Sequence, residues 1–296
     1  MKRAVVEDTY AEAFRSYYSR ILITGQTPQL AEAAAVSATG FATSALGCGV
    51  EAGVEGHVDP SQTPDGRPGV LVQFHIWKKD PKAMYQVLLL RIGNCVLTAP
   101  SASVFDATPK PIARVDLGRK LRFFGDGYEE SSTVAGRKVT TIPVMGGSFI
   151  AEDEVGFSRG VSGGNLWVMG SSLAEAVEGA KCAVTAILRS GQVITPFPGG
   201  ICGAGSKVGS LRYKFLKNST NHPYCPTLRD LIPDSKVPEG VGSIIEIVIN
   251  GTSLRSVKRA MAAGIEAAAR CPGVLRISAG NFEGRLGKFK IHLKEL

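Results

Sequence analysis

The chain lacks any apolar run approaching the roughly 20 residues that a membrane-spanning helix needs, so a membrane protein built on helices is not expected. The opening MKRAVVEDTYAEAF turns acidic and polar where a signal peptide would require its apolar stretch. No Cys-x-x-Cys pair is present. The six cysteines (Cys48, Cys95, Cys182, Cys202, Cys225, Cys271) stand far apart, as suits reduced thiols in a cytoplasmic protein. Histidine is scarce and scattered (His57, His75, His222, His292), and no G-x-S-x-G elbow accompanies it, so a hydrolytic triad has no support. His222-Pro-Tyr-Cys225 offers two ligands but no second pair at metal-site spacing, so no metal is expected. A Gly-X-Y period is also missing, which removes a collagen-like chain.

What is present is a globular composition. Of 296 residues 44% are hydrophobic and 20% charged, enough apolar side chain for one large core or two smaller ones. The formal net charge of +8 is unevenly placed: residues 1–204 carry 19 Lys/Arg and 19 Asp/Glu, whereas residues 205–296 carry 15 against 7. Two readings stand for that excess, an anionic partner for the last third or a solvated basic helix face.

Hydrophobic periodicity divides the chain into two similar halves. In the first, a strand RILIT (20–24) precedes a helix from Pro28 through Val36, a strand GVLVQFHIW (69–77), a helix from Pro81 and a strand NCVLTAP (94–100). The second helix places Met84, Val87, Leu88 and Ile92 on one face, with proline in its first turn. In the second half, NLWVM (165–169) leads into a helix with Leu173, Val177, Ala180, Val184 and Ile187 at helical spacing, ended by Ser190-Gly191. SIIEIVIN (243–250) then precedes a helix with Leu254, Val257, Met261, Ile265 and Ala268 facing inward, and VLRIS (274–278) returns. An offset of 173 superposes VLVQFHIW on SIIEIVIN and sets Gln73 opposite Glu246. The expected fold is therefore α+β: two ferredoxin-like split β-α-β lobes related by duplication, residues 1–160 and 161–296. The segments KLRFF, KVTTIPV and GSFIAEDEVGF are expected to form an antiparallel β insertion, about 115–160, packed on the first lobe.

The motifs are selective about chemistry. GGICGAGSKVGS (199–210) lacks the G-K-[ST] order of a phosphate loop and the third glycine of a dinucleotide fingerprint. Gly199 and Gly200 let backbone N–H groups approach a ligand, with Lys207 adding charge; a structural turn is the competing reading. The RNP1 pattern of an RNA-binding module is missing, and SIIEIVIN offers no aromatic for a base to stack on. Glu246 is the only charge in a strand with Ile244, Ile245, Ile247, Val248 and Ile249. Buried there, its pKa rises and a neutral acid results, able to donate to a developing oxyanion. The alternative is an outward-facing glutamate on a half-exposed strand.

Longer strings then carry a resemblance. PSASVFDA (100–107), FFGDGYEE (123–130), PFPGGICGAGSKVGS (196–210), NSTNHPYCPT (218–227), EIVING (246–251) and ISAGNFEGRLGKFKIHL (277–293) are similar, in order and spacing, to formylmethanofuran:tetrahydromethanopterin formyltransferases. The similarity runs from TYAEAF (9–14) to the last residue. It implies an enzyme that transfers a formyl group between a ring nitrogen of tetrahydromethanopterin and the amine of methanofuran, with no metal and no tightly bound cofactor. It also implies a homotetramer whose site lies in a cleft between lobes and subunits. The family's catalytic glutamate lies in E-I-V-I-N-G, here Glu246.

Candidate substrate-binding positions beside Glu246 are Asp106, Tyr128, Gly199, Gly200, Lys207, His222, Tyr224, Asn281 and Phe282. Asp106 matches the amino-pyrimidinone edge of a pterin. Tyr128, Tyr224 and Phe282 are stacking candidates with core packing as the competing role, and His222 is a candidate to orient a carbonyl. Methanogen members tend to be acidic, whereas this chain has a pI near 9.2. That resembles the bacterial branch of formaldehyde-oxidising methylotrophs, where the enzyme is a subunit of a formyltransferase/hydrolase complex. A scaffold subunit with little activity and a basic RNA-binding protein are the other function classes weighed.

Overall fold

In the computed structural model, which describes residues 3–296, the first lobe grows from one long strand. After β1 (Val5–Val6), β2 (Tyr10–Thr24) runs 15 residues, well beyond the RILIT core. Thr27 caps α1 (Pro28–Thr39) by accepting from the Leu30 N–H, and Gly40 follows its last turn. Its buried face is Ala31, Ala34, Ala35 and Ala38, small enough to lay the helix close against the sheet. A short α2 (Ala45–Cys48) leads to β3 (Glu51–Val58), then β4 (Gly69–Ile76). Asp80 caps α3 (Pro81–Arg91), which buries Met84 and Leu88.

Residues 94–100, whose composition predicts a strand, instead prolong this helix as far as Val96 and then turn. Ile92–Val96 form a π turn in which the Leu97 N–H donates to the Ile92 carbonyl at 2.8 Å. Ile92 and Val96 are four residues apart and fully buried, so the apolar stripe of α3 continues and outweighs the local β propensity. The strand comes later, as β5 (Ser103–Asp106).

The insertion contains β6 (Ala113–Asp116), α4 (Gly118–Leu121), β7 (Glu130–Val134), β8 (Arg137–Val144) and β9 (Gly147–Glu152). KLRFF (120–124) is helical rather than extended, because only Leu121 of its apolar side chains finds the core while Phe123 and Phe124 stay exposed. β7, β8 and β9 form an antiparallel meander, joined to β5 by a parallel β5–β9 pair.

The second lobe follows β10 (Glu154–Gly170), a 17-residue strand within which residues 160 and 161 lie. Next come α5 (Leu173–Arg189), capped by Ser172, β11 (Val193–Ile194), and a small hairpin of β12 (Ser206–Val208) and β13 (Asn218–Thr220). β14 (Ser243–Gly251), α6 (Leu254–Ala268) with a Ser253/Ser256 capping box, β15 (Val274–Ser278) and β16 (Phe289–His292) complete the chain.

Strand order in the first lobe is β5-β2-β4-β3, and in the second β15-β10-β14-β11, with every neighbour antiparallel. The two halves join because β2 and β10 pair with each other, Ser158 opposite Tyr18 through Ser162 opposite Phe14, into one 14-stranded mixed sheet. Each lobe keeps its own apolar core under its helices. The seam between them is polar: Asn250 donates to Glu51 at 2.6 Å and accepts from the Gly163 N–H, while the Gln192 N–H donates to Glu55.

Candidate active site

Alternation along β14 decides where Glu246 points. Ile245, Ile247 and Ile249 are buried in the core with α5 and α6. Ile244, Glu246 and Val248 therefore project from the opposite face, where they are half-buried. Both sequence readings are modified by this: Glu246 leaves the aliphatic core yet is covered by other segments.

On one side Trp167 of β10 is its direct cross-strand partner. On the other, Cys202 pairs with it as an isolated bridge, the Cys202 N–H donating to the Glu246 carbonyl at 2.7 Å and the Glu246 N–H returning to Cys202 at 2.9 Å. Directly opposed antiparallel residues share a sheet face, so Cys202, Glu246, Trp167 and Ser278 form one row across the strands. The indole Nε1–H of Trp167 donates to Glu246 Oε1 at 3.3 Å. Burial pushes the Glu246 carboxyl above its ordinary range, and the indole hydrogen bond opposes that rise.

The row is walled by two loops. Asn165, two residues before Trp167, grips Gly280 from both sides, its Nδ2 on the Gly280 carbonyl at 3.0 Å and its Oδ1 on the Gly280 N–H at 2.6 Å. Gly280 must lack a side chain, since a Cβ there would lie 2.8 Å from Trp167 Cζ2. Asn281 donates to the Tyr10 carbonyl at 3.2 Å, and the Phe282 N–H donates to the Glu12 carboxylate. The Phe282 ring meets Phe14 edge-on at 6.3 Å, and Phe14 stacks on Trp77. From the second loop, Tyr224 packs edge-on against Trp167 with centroids 4.7 Å apart. Burial pushes its phenol up, with the negative Glu7 adding to the effect. His222, two residues earlier in the same short turn, contacts Asp234 at 3.3 Å.

The glycine-rich string acts first as a turn. Gly199 and Gly200 take φ of 62° and 79°, and a Cβ on Gly200 would stand 2.7 Å from both Thr195 Oγ1 and Val184 Cγ1. This turn delivers Cys202 to the edge of β14. Gly199 has open space around it. Lys207, on β12, reaches Ser219 Oγ at 3.0 Å. The connecting 209–217 segment exposes Leu211, Tyr213 and Phe215 among Arg212, Lys214 and Lys217.

Tyr224 thus joins Glu246 through Trp167, and Asn281 and Phe282 adjoin through Gly280. Asp106 and Tyr128 do not join this row. Asp106 is buried on β5, accepting from Arg114 at 3.1 Å and from the Thr108 N–H at 2.9 Å. Tyr128 is 78% exposed in the insertion. Sequence reasoning missed Trp167, Cys202 and Asn165; the signal available was that one of only two tryptophans lies in NLWVM. Among the described residues no three His, Cys, Asp or Glu side chains are grouped to hold a metal ion. No helix among them is long and apolar enough to cross a membrane.

Comparison with known proteins places this geometry. Residues 1–144 match the family model described as "Formylmethanofuran-tetrahydromethanopterin formyltransferase", and residues 147–296 match "FTR, proximal lobe". The chain is 50% identical to the formylmethanofuran--tetrahydromethanopterin formyltransferase of Methanothermus fervidus over 98% of this chain and 97% of that one. Its structure is similar to that of the Methanosarcina barkeri enzyme, at TM-score 0.96 and 48% identity, covering 99% and 98% of the two chains. It is also similar to a chain of the formyltransferase/hydrolase complex from Methylorubrum extorquens in complex with methylofuran, at TM-score 0.92 and 39% identity, covering 98% and 96%. With matches along both halves and near-complete coverage of its relatives, the chain belongs to the formylmethanofuran–tetrahydromethanopterin formyltransferase family.

Proposed function

We propose that this formyltransferase moves a formyl group between a ring nitrogen of tetrahydromethanopterin and the amine of methanofuran or a methanofuran-like carrier, with Glu246 as the catalytic acid. The observation that carries this reading is the half-buried Glu246 carboxyl, raised by burial and held by a single indole donor. The acceptor nitrogen attacks the formyl carbon, its C–N bond forms, and the carbonyl oxygen gains negative charge. Neutral Glu246 donates a hydrogen bond to that oxygen. The intermediate then collapses as the donor C–N bond breaks, and the proton released by the attacking nitrogen ends on the departing one. Glu246 can relay that proton, since burial raises its carboxyl and makes the acid form more accessible, and a carboxyl both gives and takes a proton. Water has no part in the balance, which fits a covered row rather than an open surface.

Tyr224, His222, Asn281, Phe282, Gly199, Gly200 and Lys207 form the substrate-binding wall in this reading; Asp106 and Tyr128 are separate pterin-side positions in the first lobe. Glu246→Gln tests the central claim. It keeps one donor but cannot exchange a proton, so formyl exchange between purified carriers should fall roughly 100-fold or more. Near-normal turnover would return Glu246 to a structural role and favour a scaffold subunit.

The same reading extends to organisation. Matching strand orders support two ferredoxin-like lobes related by duplication, divided near residue 160 although β10 runs through that point. A homotetramer is the proposed assembly, with hydrolase subunits as further partners, as the Methylorubrum complex suggests by its composition. Six unpaired cysteines support a cytoplasmic location.

A further inference from the structure

Glu246 has two oxygens, and the side chains around it treat them differently. Trp167 Nε1 donates to Oε1, and among the described residues Oε2 has no protein partner. An indole N–H is a donor only. The carbonyl oxygen of a neutral carboxylic acid is a better acceptor than its hydroxyl, so this hydrogen bond to Oε1 favours the form that carries the proton on Oε2. The indole is held in turn. Its strand is paired on both sides, with Glu246 and with Ser278. Gly280 lies so close that a Cβ would fall 2.8 Å from Cζ2 and 3.1 Å from Cε2. Tyr224 closes another side at 4.7 Å between centroids. Asn165 fixes Gly280 through both backbone polar groups.

Resting on the reading of Glu246 as the catalytic acid, we propose that Trp167 is a positioning residue. It fixes the orientation of the Glu246 carboxyl and leaves Oε2 as the one proton-bearing oxygen offered to the formyl group. Asn165 and Gly280 act behind it by holding the indole plane.

Charged and titratable groups stand on every element around the row: Cys202 on the glycine-rich segment, His222, Tyr224 and Asp234 on the loop, Arg276 on β15 with Glu7 beside β1. The balance on Glu246 itself is simpler, with burial raising its carboxyl and the Trp167 hydrogen bond lowering it. Removing the indole N–H takes away the lowering influence. The acid form then persists to higher pH, so the alkaline limb of activity moves up while maximal turnover falls.

Trp167→Phe keeps a ring and removes the donor. Formyl exchange should show kcat reduced about 10-fold, as expected for a misoriented catalytic group, with KM changed much less and the alkaline limb of kcat displaced upward. Gly280→Ala keeps the donor but pushes the ring away; it should lower kcat in the same sense. The double variant should lose less than the product of the two losses, because both act through one bond. Unchanged kcat and an unmoved limb in Trp167→Phe, or strict additivity of the pair, overturns the proposal. Should Trp167→Phe fail to fold, Gly280→Ala decides alone: unchanged kcat and pH limb overturn it, and reduced kcat with a raised limb supports it. Glu246→Gln run alongside separates the two ideas. Full activity in that variant removes the catalytic acid, whereas an inactive Glu246→Gln with an unperturbed Trp167→Phe removes only the positioning role.

Discussion

Gln73 and Glu246 hold the same place in the two lobes, mid-strand on β4 and β14 with a strand or bridge on each side, and their surroundings differ sharply. Gln73 is fully buried, and both polar atoms of its side chain have a partner. Its Nε2 donates to Glu55 at 2.7 Å and its Oε1 lies 2.8 Å from His75 Nε2. Glu55 also receives both Nε and Nη2 of Arg20 at 2.7 and 2.6 Å. Since the Gln73 oxygen only accepts, His75 carries its proton on Nε2 and takes Ser16 or Ser162 on Nδ1. Burial drops His75 to about 3, so it stays neutral. Glu246, by contrast, has one donor and partial access to solvent. A closed polar network stabilises the lobe seam, whereas the under-paired Glu246 carboxyl is raised by burial with one hydrogen bond opposing the rise. The comparison teaches that the first lobe uses this strand position for docking, whereas the second leaves it under-paired, as the proposed chemistry requires.

The closed network offers the largest effects. His75 has a folded pKa below its unfolded value, so the stability it gives is complete above pH 6.5 and is lost as pH falls toward 3. At 1.36 kcal/mol per unit that loss is on the order of 4–5 kcal/mol across the window. His75→Gln should therefore show a shallower acid decline in unfolding free energy, by nearly one proton. An identical slope in both proteins would assign the acid sensitivity elsewhere.

Glu55→Ala strips the Arg20 guanidinium and the Gln73 amide of their shared acceptor. The expected loss is about 3 kcal/mol, the lower end for a broken buried ion pair because Arg20 keeps some solvent. Denaturant titration measures it, with Glu246→Gln as the contrast: that variant should unfold near the wild-type midpoint. Equal destabilisation of both would erase the distinction between docking and chemistry.

The smallest effect concerns charge outside both networks. Lys214 and Lys217 are exposed on the 209–217 segment, placed to attract an acidic tail on a carrier. Lys214→Glu with Lys217→Glu should raise KM several-fold for at least one full-length carrier and spare kcat, because such contacts bind substrate and transition state alike. The effect should shrink in salt, as exposed charges are screened beyond about 10 Å at 0.1 M, and vanish with a carrier lacking its tail. Equal response by full-length and truncated carriers would move this charge to solubility or a partner surface.

Much of this architecture was legible where local periodicity and burial agree. The faces of α5 and α6 follow their three- and four-residue spacing, with Ala180, Ile187, Val257 and Met261 buried as that spacing predicts. Leu173, at the start of α5, is exposed, and Leu254, at the start of α6, is half-buried against the second core. β3 was hidden because EAGVEGHV reads as a polar, glycine-broken segment. Its Glu51 and Glu55 are interior, the first bonded to Asn250 at 199 residues' separation and the second to Arg20 at 35.

The sequence alone determined the helix faces, the aliphatic strand around Glu246 and the strings that mark the family, because each depends on neighbours within a few residues. Tertiary structure alone decided which oxygen of Glu246 receives a donor. Trp167 lies 79 residues away on another strand, and Gly280 lies 115 from the Asn165 that holds it. Cross-strand register, set by which faces must be buried throughout the sheet, brings them together. No local pattern in either segment encodes the partner it will meet.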